Sequence, residues 1–261
     1  RMGSSRFPGK SFASIAGQPL LWHIIYRLRQ SKYLTRLVLA TAISKENDIL
    51  ERFAKKERIS IIRGEEHDVL SRFERAFKIF DPSTITRVCG DCPLIEASFV
   101  DRSIEQIIRQ KVDYVKSASS KMIHQGIETI SRDCFQKNLY YKDDAIAKEH
   151  VTALIYKNAE LYKSGKIRLL DYEETTGIRL SIDTKSDLKF IRALYRKSSK
   201  KAGQLPIKEV LDIITKNPDL LEYNSHVVQK KASQKTEHIY FHYKDSLAEY
   251  FLNLAQDYSE K

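Results

Sequence analysis

Apolar positions in the first half of the chain alternate between short β-branched runs and longer segments with a helical period. Residues 18–30 carry apolar side chains three and four positions apart behind Pro19, a pattern that predicts a helix. Strand-then-helix units follow. The predicted strands are 37–41, 59–62, 84–89 and 112–115, and the predicted helices are 44–56, 68–80 and 98–110. This alternation predicts an α/β fold with a mostly parallel central sheet covered by helices.

The regular alternation of predicted strands and helices ends after residue 117. An excursion over about 117–165 carries a predicted strand at 127–130 and helices at 131–141 and 145–156, and it is a candidate substrate lid or contact between two subunits of a homodimer. Two more predicted strands, 167–170 and 178–182, and a helix at 184–195 close the core. We therefore predict a main domain over 1–202. A helical extension is predicted over 203–261, with helices at 206–216, 218–223 and 238–258.

Composition narrows the class of protein. The 261 residues are 42% hydrophobic, enough for a sizeable core, and no apolar run reaches the roughly 20 residues that span a bilayer. We expect a soluble cytoplasmic protein that has no membrane partner, with its three cysteines reduced. The net charge of +11 favours polyanionic partners, but the basic residues are mixed with acids along predicted helices. Nucleic acid is therefore not the expected partner.

Three predicted strands end in residues suited to ligand binding. Thr41, Arg63-Gly64 and Gly90-Asp91 each follow a predicted parallel strand. The carboxyl ends of parallel strands meet at one edge of a sheet, where open α/β folds bind ligands. These three segments should therefore line one crevice.

The first ten residues form a basic, glycine-containing loop. Arg1, Arg6 and Lys10 supply cations, the glycines allow close backbone approach, and Ser4 and Ser5 supply hydroxyl groups, a composition that suits a triphosphate. The alternative is the remnant of an expression tag followed by a basic terminus, against which Arg1 before Met2 argues. A loop of this kind needs a strand to launch it, so we expect apolar residues upstream of Arg1.

Two carboxylates stand at predicted strand ends. Asp91 lies beside Gly90 with Pro93 shaping the turn, and Asp183 ends the run 178–182. Mg²⁺ takes one or two protein carboxylates together with phosphates and waters, so both residues are candidate ligands. Asp183 is equally suited to cap the helix that begins at Thr184.

Other candidate residues carry a structural alternative. Around the predicted junction of Arg63, Asp68, Ser71 and Arg72, Asp68 alone would cap the helix that follows it, which would leave the two arginines as surface charges. His150 in the excursion can contact an anionic substrate, although a lone histidine is more often structural. The excursion also holds three further candidates for acceptor binding: Gly126, Glu128 and Glu149.

Six ordered motifs resemble a known family. They are the loop R-M-G-S-S-R-F-P-G-K at 1–10, V-L-A-T at 38–41, the segment 63–73, G-D-C-P-L-I at 90–95, E-H-V-T at 149–152 and R-L-S-I-D-T at 179–184. Together they resemble the cytidylyltransferases that include the 3-deoxy-manno-octulosonate and acylneuraminate enzymes, most closely the SpsF-like branch. The resemblance spans about residues 1–195.

The resemblance implies a three-layer α/β/α nucleotidyltransferase fold, Rossmann-like and GT-A-like, that transfers CMP from CTP to an acidic acceptor and releases pyrophosphate. It implies that Asp91 and Asp183 hold Mg²⁺, and that Arg1, Lys10 and Asp91 are the catalytic residues. The residues implied to bind the nucleotide are Arg1, Met2, Gly3, Ser4, Arg6, Lys10, Thr41, Arg63, Asp68, Ser71, Arg72 and Asp91.

The acceptor stays open after the resemblance is taken into account. Where relatives read P-x-G-L-D-V-E-V-F, this chain has H-Q-G-I-E-T-I at 124–130, which keeps the glycine and changes the polar groups. The rival enzyme class is a glycosyltransferase that uses a nucleotide sugar. That class usually carries an Asp-x-Asp pair, whereas this chain has Asp91-Cys92-Pro93 at the corresponding place.

Overall fold

The computed structural model describes residues 2–116, 123–124, 126–167, 169–174 and 177–227. The expected roles of Arg1 and the predicted helix at 238–258 lie outside these residues. The helices are α1 (Leu20–Leu28), α2 (Asp48–Lys56), α3 (Val69–Phe80), α4 (Ala97–Gln110), α5 (Arg132–Asn138), α6 (Ala145–Glu149), α7 (Ala153–Lys157), α8 (Lys185–Lys197) and α9 (Ile207–Lys216). The strands are β1 (Ser14–Ile15), β2 (Gln18–Pro19), β3 (Val38–Ala42), β4 (Ser60–Gly64), β5 (Thr84–Val88), β6 (Tyr114–Lys116), β7 (Ile127–Ser131) and β8 (Ser164–Lys166).

The strands form parallel and antiparallel pairs. β3 and β4 are parallel, with Val38 opposite Ser60, and β1 pairs with β2 as a small antiparallel hairpin before α1. A four-stranded sheet has the order β5-β7-β6-β8, in which β7 is antiparallel to both of its neighbours and β8 is parallel to β6. The sheet is mixed because β7, from the excursion, lies between two strands of the main domain.

Helices cover both faces of this sheet. Tyr114 and Val115 are consecutive on β6 and therefore point to opposite faces. Tyr114 packs in a cluster with side chains of α3, α5 and α7, whereas Val115 packs with α4. The arrangement is the expected three-layer α/β/α architecture.

The predicted strands at 167–170 and 178–182 are not strands in the described residues. The strand in this region is β8, three residues earlier than predicted. Ile178, Leu180 and Ile182 are buried, as an apolar strand would be, but the segment is held by single contacts such as the hydrogen bond from Ile182 N to Asp91 O (2.8 Å). An apolar pattern predicts that a segment is buried, but a β-strand also needs a neighbouring strand with which its backbone can form hydrogen bonds.

Within the described residues, the predicted helices are found with altered ends. The run 145–156 divides into α6 and α7 around His150, and 218–223 is a 3-10 helix, Pro218–Tyr223. α9 and this 3-10 helix share the largest apolar cluster with α1 and α8, through Val210, Ile214 and Leu220 among others. The described part of the extension therefore packs on the main domain. No helix among the described residues is long and apolar enough to cross a membrane.

Candidate active site

The N-terminal loop is closed by its own backbone. The carbonyl oxygen of Met2 accepts hydrogen bonds from the amides of Ser4 and Gly9, both at 2.9 Å, and Gly9 has a left-handed φ of 72°. The amide of Met2 in turn donates to Asn47 Oδ1 (2.8 Å) at the start of α2. The loop is therefore anchored at its beginning and directs Lys10 inwards.

Lys10 joins the two carboxylates that the sequence singled out. Its Nζ donates to Asp91 Oδ2 (3.0 Å) and Asp183 Oδ1 (2.8 Å), and also to the carbonyl oxygen of Ile182 (2.9 Å). Asp91 follows β5 and Asp183 precedes α8, and the backbone bond from Ile182 to Asp91 holds these segments side by side. Residues that are 92 positions apart in sequence thus share one ammonium group.

Charge interactions keep Lys10 and Asp183 ionised. Burial acts to raise the pKa of Asp183, but Lys10, Arg179 and Arg6 outweigh it and the pKa lies below its ordinary value. Burial acts to lower the pKa of Lys10, and Asp91 and Asp183 reverse that effect and hold the pKa above its ordinary value. At neutral pH the centre is therefore a set of fixed charges of both signs.

A cavity of about 770 Å³ opens beside this centre. Its apolar part continues between β3 and β5, which belong to different sheets. Its polar lining includes Ser4, Ser5, Arg6, Lys10, Thr41, Arg72, Arg87, Asp91, Glu149 and Asp183. Of the three segments predicted to line one crevice, Thr41 and Gly90-Asp91 line this cavity, whereas Arg63-Gly64 does not.

Thr41 and Arg72 lie within this cavity, whereas Arg63 is engaged elsewhere. Thr41 is 1% exposed, and its Oγ1 has no hydrogen-bond partner among the described residues. Arg63 forms ion pairs with Asp48 (2.8 Å) and Glu51 (2.9 Å) of α2 and is not part of the lining. Its geometry is that of a link between β4 and α2.

Asp68 and Ser71 form the beginning of α3. Asp68 Oδ1 accepts the amide of Ser71 at 2.8 Å, and Ser71 Oγ donates to the Asp68 carbonyl oxygen at 3.0 Å. This is the helix cap given above as the structural alternative. Gly64 explains how Arg72 reaches the cavity, because a Cβ at position 64 would stand 2.8 Å from Arg72 Cγ.

The excursion contributes one residue to the lining of the cavity and further residues that contact the lining from behind. Glu149, at the end of α6, lines the cavity, and His150 ends that helix beside it without being part of the lining. Glu128 on β7 pairs with Arg87 of β5 at 2.6 Å, and Arg87 lines the cavity. Gly126 has a left-handed φ of 72°, and a Cβ there would stand 2.9 Å from Cys89 Cβ.

Arg179 lies in the motif at 179–184 but has no role predicted from the sequence. In the structure its guanidinium bonds to Asp183 Oδ2 and, through Nε, to Asp187 Oδ1 at 2.9 Å. Asp187 is fully buried and accepts from the amides of Asp183 (2.9 Å) and Thr184 (2.8 Å). The available signal was Thr184-x-x-Asp187, the spacing of a capping box directly after a candidate ligand.

The centre has the donor chemistry of a divalent-cation site. Asp91 and Asp183 present carboxylate oxygens to one point, now bridged by Lys10, and oxygen donors are what Mg²⁺ prefers. Glu96, His124 and Glu173 form another group of potential ligands elsewhere in the chain. There, Glu173 already pairs with Arg102, and His124 can supply a second positive charge. That group balances its charges from its own side chains.

The sequence model of one protein family, described as Cytidylyltransferase, matches residues 1–216. Protein MJ1063 of Methanocaldococcus jannaschii is 32% identical over 239 residues, which cover 91% of this chain and 96% of that protein. The spore coat polysaccharide biosynthesis protein SpsF of Bacillus subtilis is 31% identical over 232 residues, with 84% and 92% covered. The structure of a cytidylyltransferase from Leptospira borgpetersenii is similar with a TM-score of 0.77 at 23% identity, covering 88% of this chain and 96% of that one.

Proposed function

Because the chain belongs to the cytidylyltransferase family, we propose that it transfers CMP from CTP to an acidic sugar or a related acceptor and releases pyrophosphate. The observation that carries the proposal is the contact of Lys10 with Asp91 and Asp183 in the lining of the cavity. A cation there suits a triphosphate, and paired carboxylates suit the metal that accompanies it. SpsF, which bears the name of a polysaccharide biosynthesis protein, supports an acceptor destined for a surface polysaccharide.

In the proposed reaction an acceptor oxygen attacks the α-phosphorus of CTP. A new oxygen–phosphorus bond forms, the bond to the β-phosphate bridging oxygen breaks, pyrophosphate leaves with that electron pair, and the acceptor proton passes to solvent. No protein nucleophile is needed. Lys10 and Arg6 hold the phosphates and stabilise the negative charge that develops in the transition state.

Asp91 and Asp183 are proposed to hold Mg²⁺. When bound, Mg²⁺ supplies charge neutralisation for the phosphate oxygens. Arg6 and Arg179 keep Asp183 ionised and oriented for this role. Triphosphate and metal would replace the mutual contacts that Lys10 and the two carboxylates make in the free chain.

The remaining candidates divide between the two substrates. Met2, Gly3, Ser4, Thr41 and Arg72 are proposed to contact the nucleotide, and Arg63, Asp68 and Ser71 to support them from the neighbouring elements. Glu149 is proposed to face the acceptor, with Gly126, Glu128 and His150 behind it. The excursion 117–165 stays a predicted substrate lid or contact between two subunits, and light scattering of the purified chain can test the second possibility.

The test is pyrophosphate release from each of the four nucleoside triphosphates, with Mg²⁺ and a panel of acidic sugars and phosphonates. We expect release with CTP and at least one acceptor. Lys10→Ala should lower the rate by about 10²- to 10³-fold, because one preorganised charge contact is lost. Asp91→Asn should be similarly impaired.

Lys56→Ala, at an exposed position on α2, is the matched control and should keep full activity. Full CTP-dependent release by Lys10→Ala would refute the role of the loop. Consumption of a nucleotide sugar without pyrophosphate release would favour the glycosyltransferase class instead.

A further inference from the structure

The carboxylate of Asp187 organises the surroundings of Asp183 from inside the protein. Asp187 Oδ2 accepts from the amides of Asp183 and Thr184 and from Thr184 Oγ1 (2.9 Å). Asp187 Oδ1 accepts from Arg179 Nε, and the same guanidinium bonds to Asp183 Oδ2. The backbone and the side chain of Asp183 are therefore both positioned relative to this one buried carboxylate.

A residue from the extension donates a further hydrogen bond to Asp187. Asn224, just after the 3-10 helix Pro218–Tyr223, is 4% exposed. Its Nδ2 donates to Asp187 Oδ1 and to the carbonyl oxygen of Arg179, both at 3.1 Å. One amide group thus holds both the acid and the arginine that contact Asp183. The family model ends at residue 216, so Asn224 lies beyond the matched part of the chain.

A buried carboxylate depends on its donors. A charged oxygen without water must receive its hydrogen bonds from the protein, and a lost donor leaves it undersolvated. Without Asn224, Asp187 Oδ1 would keep only Arg179 among the donors described here. Asp187 Oδ2 would keep its three donors, but Oδ1 and the carbonyl oxygen of Arg179 would each lose one. Asp183 is bonded to both Asp187 and Arg179, so its orientation would be less firmly held.

We infer that Asn224 is a positioning residue for the metal site, through which the segment 203–227 orients Asp183. The inference rests on the proposed function in one respect, that Asp183 is a metal ligand. It gives the described part of the extension a role in the reaction itself, in addition to its apolar packing on α1 and α8.

The test compares Asn224→Ala and the isosteric Asn224→Asp with the unchanged chain. Binding of Mn²⁺ together with CTP, without acceptor, is followed by electron paramagnetic resonance. The Mg²⁺ concentration that gives half-maximal pyrophosphate release is measured alongside. We expect about tenfold weaker Mn²⁺ binding and a similar rise in the Mg²⁺ requirement. This is the lower end of the loss in metal affinity that usually follows removal of a residue that supports a metal ligand. Asn224→Asp should shift binding at least as far, because its carboxylate would face that of Asp187.

Asn217→Ala is the matched control. Asn217 begins the same 3-10 helix, and its Nδ2 donates to the carbonyl oxygen of Ile213 (2.9 Å), away from Asp187. It should leave the Mn²⁺ midpoint unchanged. An unshifted midpoint in either Asn224 variant that unfolds cooperatively would overturn the inference, as would an equal shift in Asn217→Ala. If the unchanged chain released no pyrophosphate from CTP, the proposed function would fail, whereas the Mn²⁺ comparison would still decide the role of Asn224.

Discussion

At the scale of single residues, Gly126 is where the excursion meets the candidate active site. The backbone of Gly126 lies against Cys89, and its carbonyl oxygen accepts a hydrogen bond from the amide of Cys89 at 2.9 Å. Cys89 is followed by Gly90 and Asp91. A side chain at position 126 would need a left-handed backbone and would stand 3.0 Å from Cys89 Sγ. Only glycine lets the excursion approach this closely.

We therefore predict that Gly126→Ala destabilises the chain by about 1–3 kcal/mol, because a strained φ and a close contact act together. Urea unfolding measures the change. Gly90→Ala is the control, since a Cβ at position 90 would meet no atom within 4 Å, and its free energy of unfolding should change little. Equal stability of the two variants would contradict the packing argument.

At the scale of elements, the beginnings of helices place the charged residues. Asp68 caps α3, and one turn into that helix Arg72 reaches the cavity. Thr184 caps α8 by accepting the amide of Asp187, directly after Asp183. In both cases the cap fixes where the helix begins, and so which side chains of its first turns face the site.

Asp68→Ala should cost about 1 kcal/mol through loss of the cap, and Asp68→Asn should restore most of it, because asparagine caps equally well. Urea unfolding and the KM for CTP test this together. If Asp68 acts only as a cap, Asp68→Asn keeps the KM of the unchanged chain. A raised KM in the stable Asp68→Asn variant would instead assign the carboxylate to the nucleotide.

At the scale of the whole molecule, a buried charge cluster joins distant segments. His124 lies 3.5 Å from Glu173 and 3.7 Å from Glu96, Arg102 pairs with Glu173, and the amide of Ile207 in α9 donates to Glu96 (2.9 Å). Burial acts to lower the pKa of His124, but the two glutamates outweigh it and raise the pKa. Burial acts to raise the pKa of each glutamate, but the nearby His124 imidazole, followed by the backbone amides of Ile207 for Glu96 and Leu170 for Glu173, outweighs it and lowers the pKa. The cluster links α4, the excursion and the extension.

The sign of its pH dependence follows from these shifts. A raised histidine pKa stabilises the fold fully below about pH 6.5, and this contribution is lost as the pH rises through the folded-state pKa. The lowered glutamate pKa values stabilise the fold above about pH 4.3, and this contribution is lost as the pH falls further. The free energy of unfolding should therefore decline from pH 6.5 upwards.

His124→Gln should remove this alkaline decline, whereas His67→Gln, at an exposed position, should retain it. Urea unfolding between pH 5 and 9 measures both variants. An identical pH profile for His124→Gln and the unchanged chain would show that the cluster contributes nothing to it.

Local signals located much of the candidate site. Polar residues at the ends of apolar runs indicated Thr41, Asp91 and Asp183, and all three line one cavity. That prediction used the period of each segment and the rule that parallel strands end at a common edge. The residues meet although β3 and β5 lie in different sheets and 178–182 is not a strand. The same signals could not assign Arg63 and Glu128, because their partners Asp48, Glu51 and Arg87 come from other elements.

By itself the sequence indicated most of the described helices, the buried apolar segments and a set of candidate residues for the chemistry, because these signals depend on neighbours along the chain. Only the tertiary structure decided that β7 enters the sheet antiparallel, that 178–182 is held without a ladder, and that Asn224 reaches Asp187. Pairing between distant segments depends on how whole layers pack. The apolar period of a single segment therefore does not indicate which segment it pairs with.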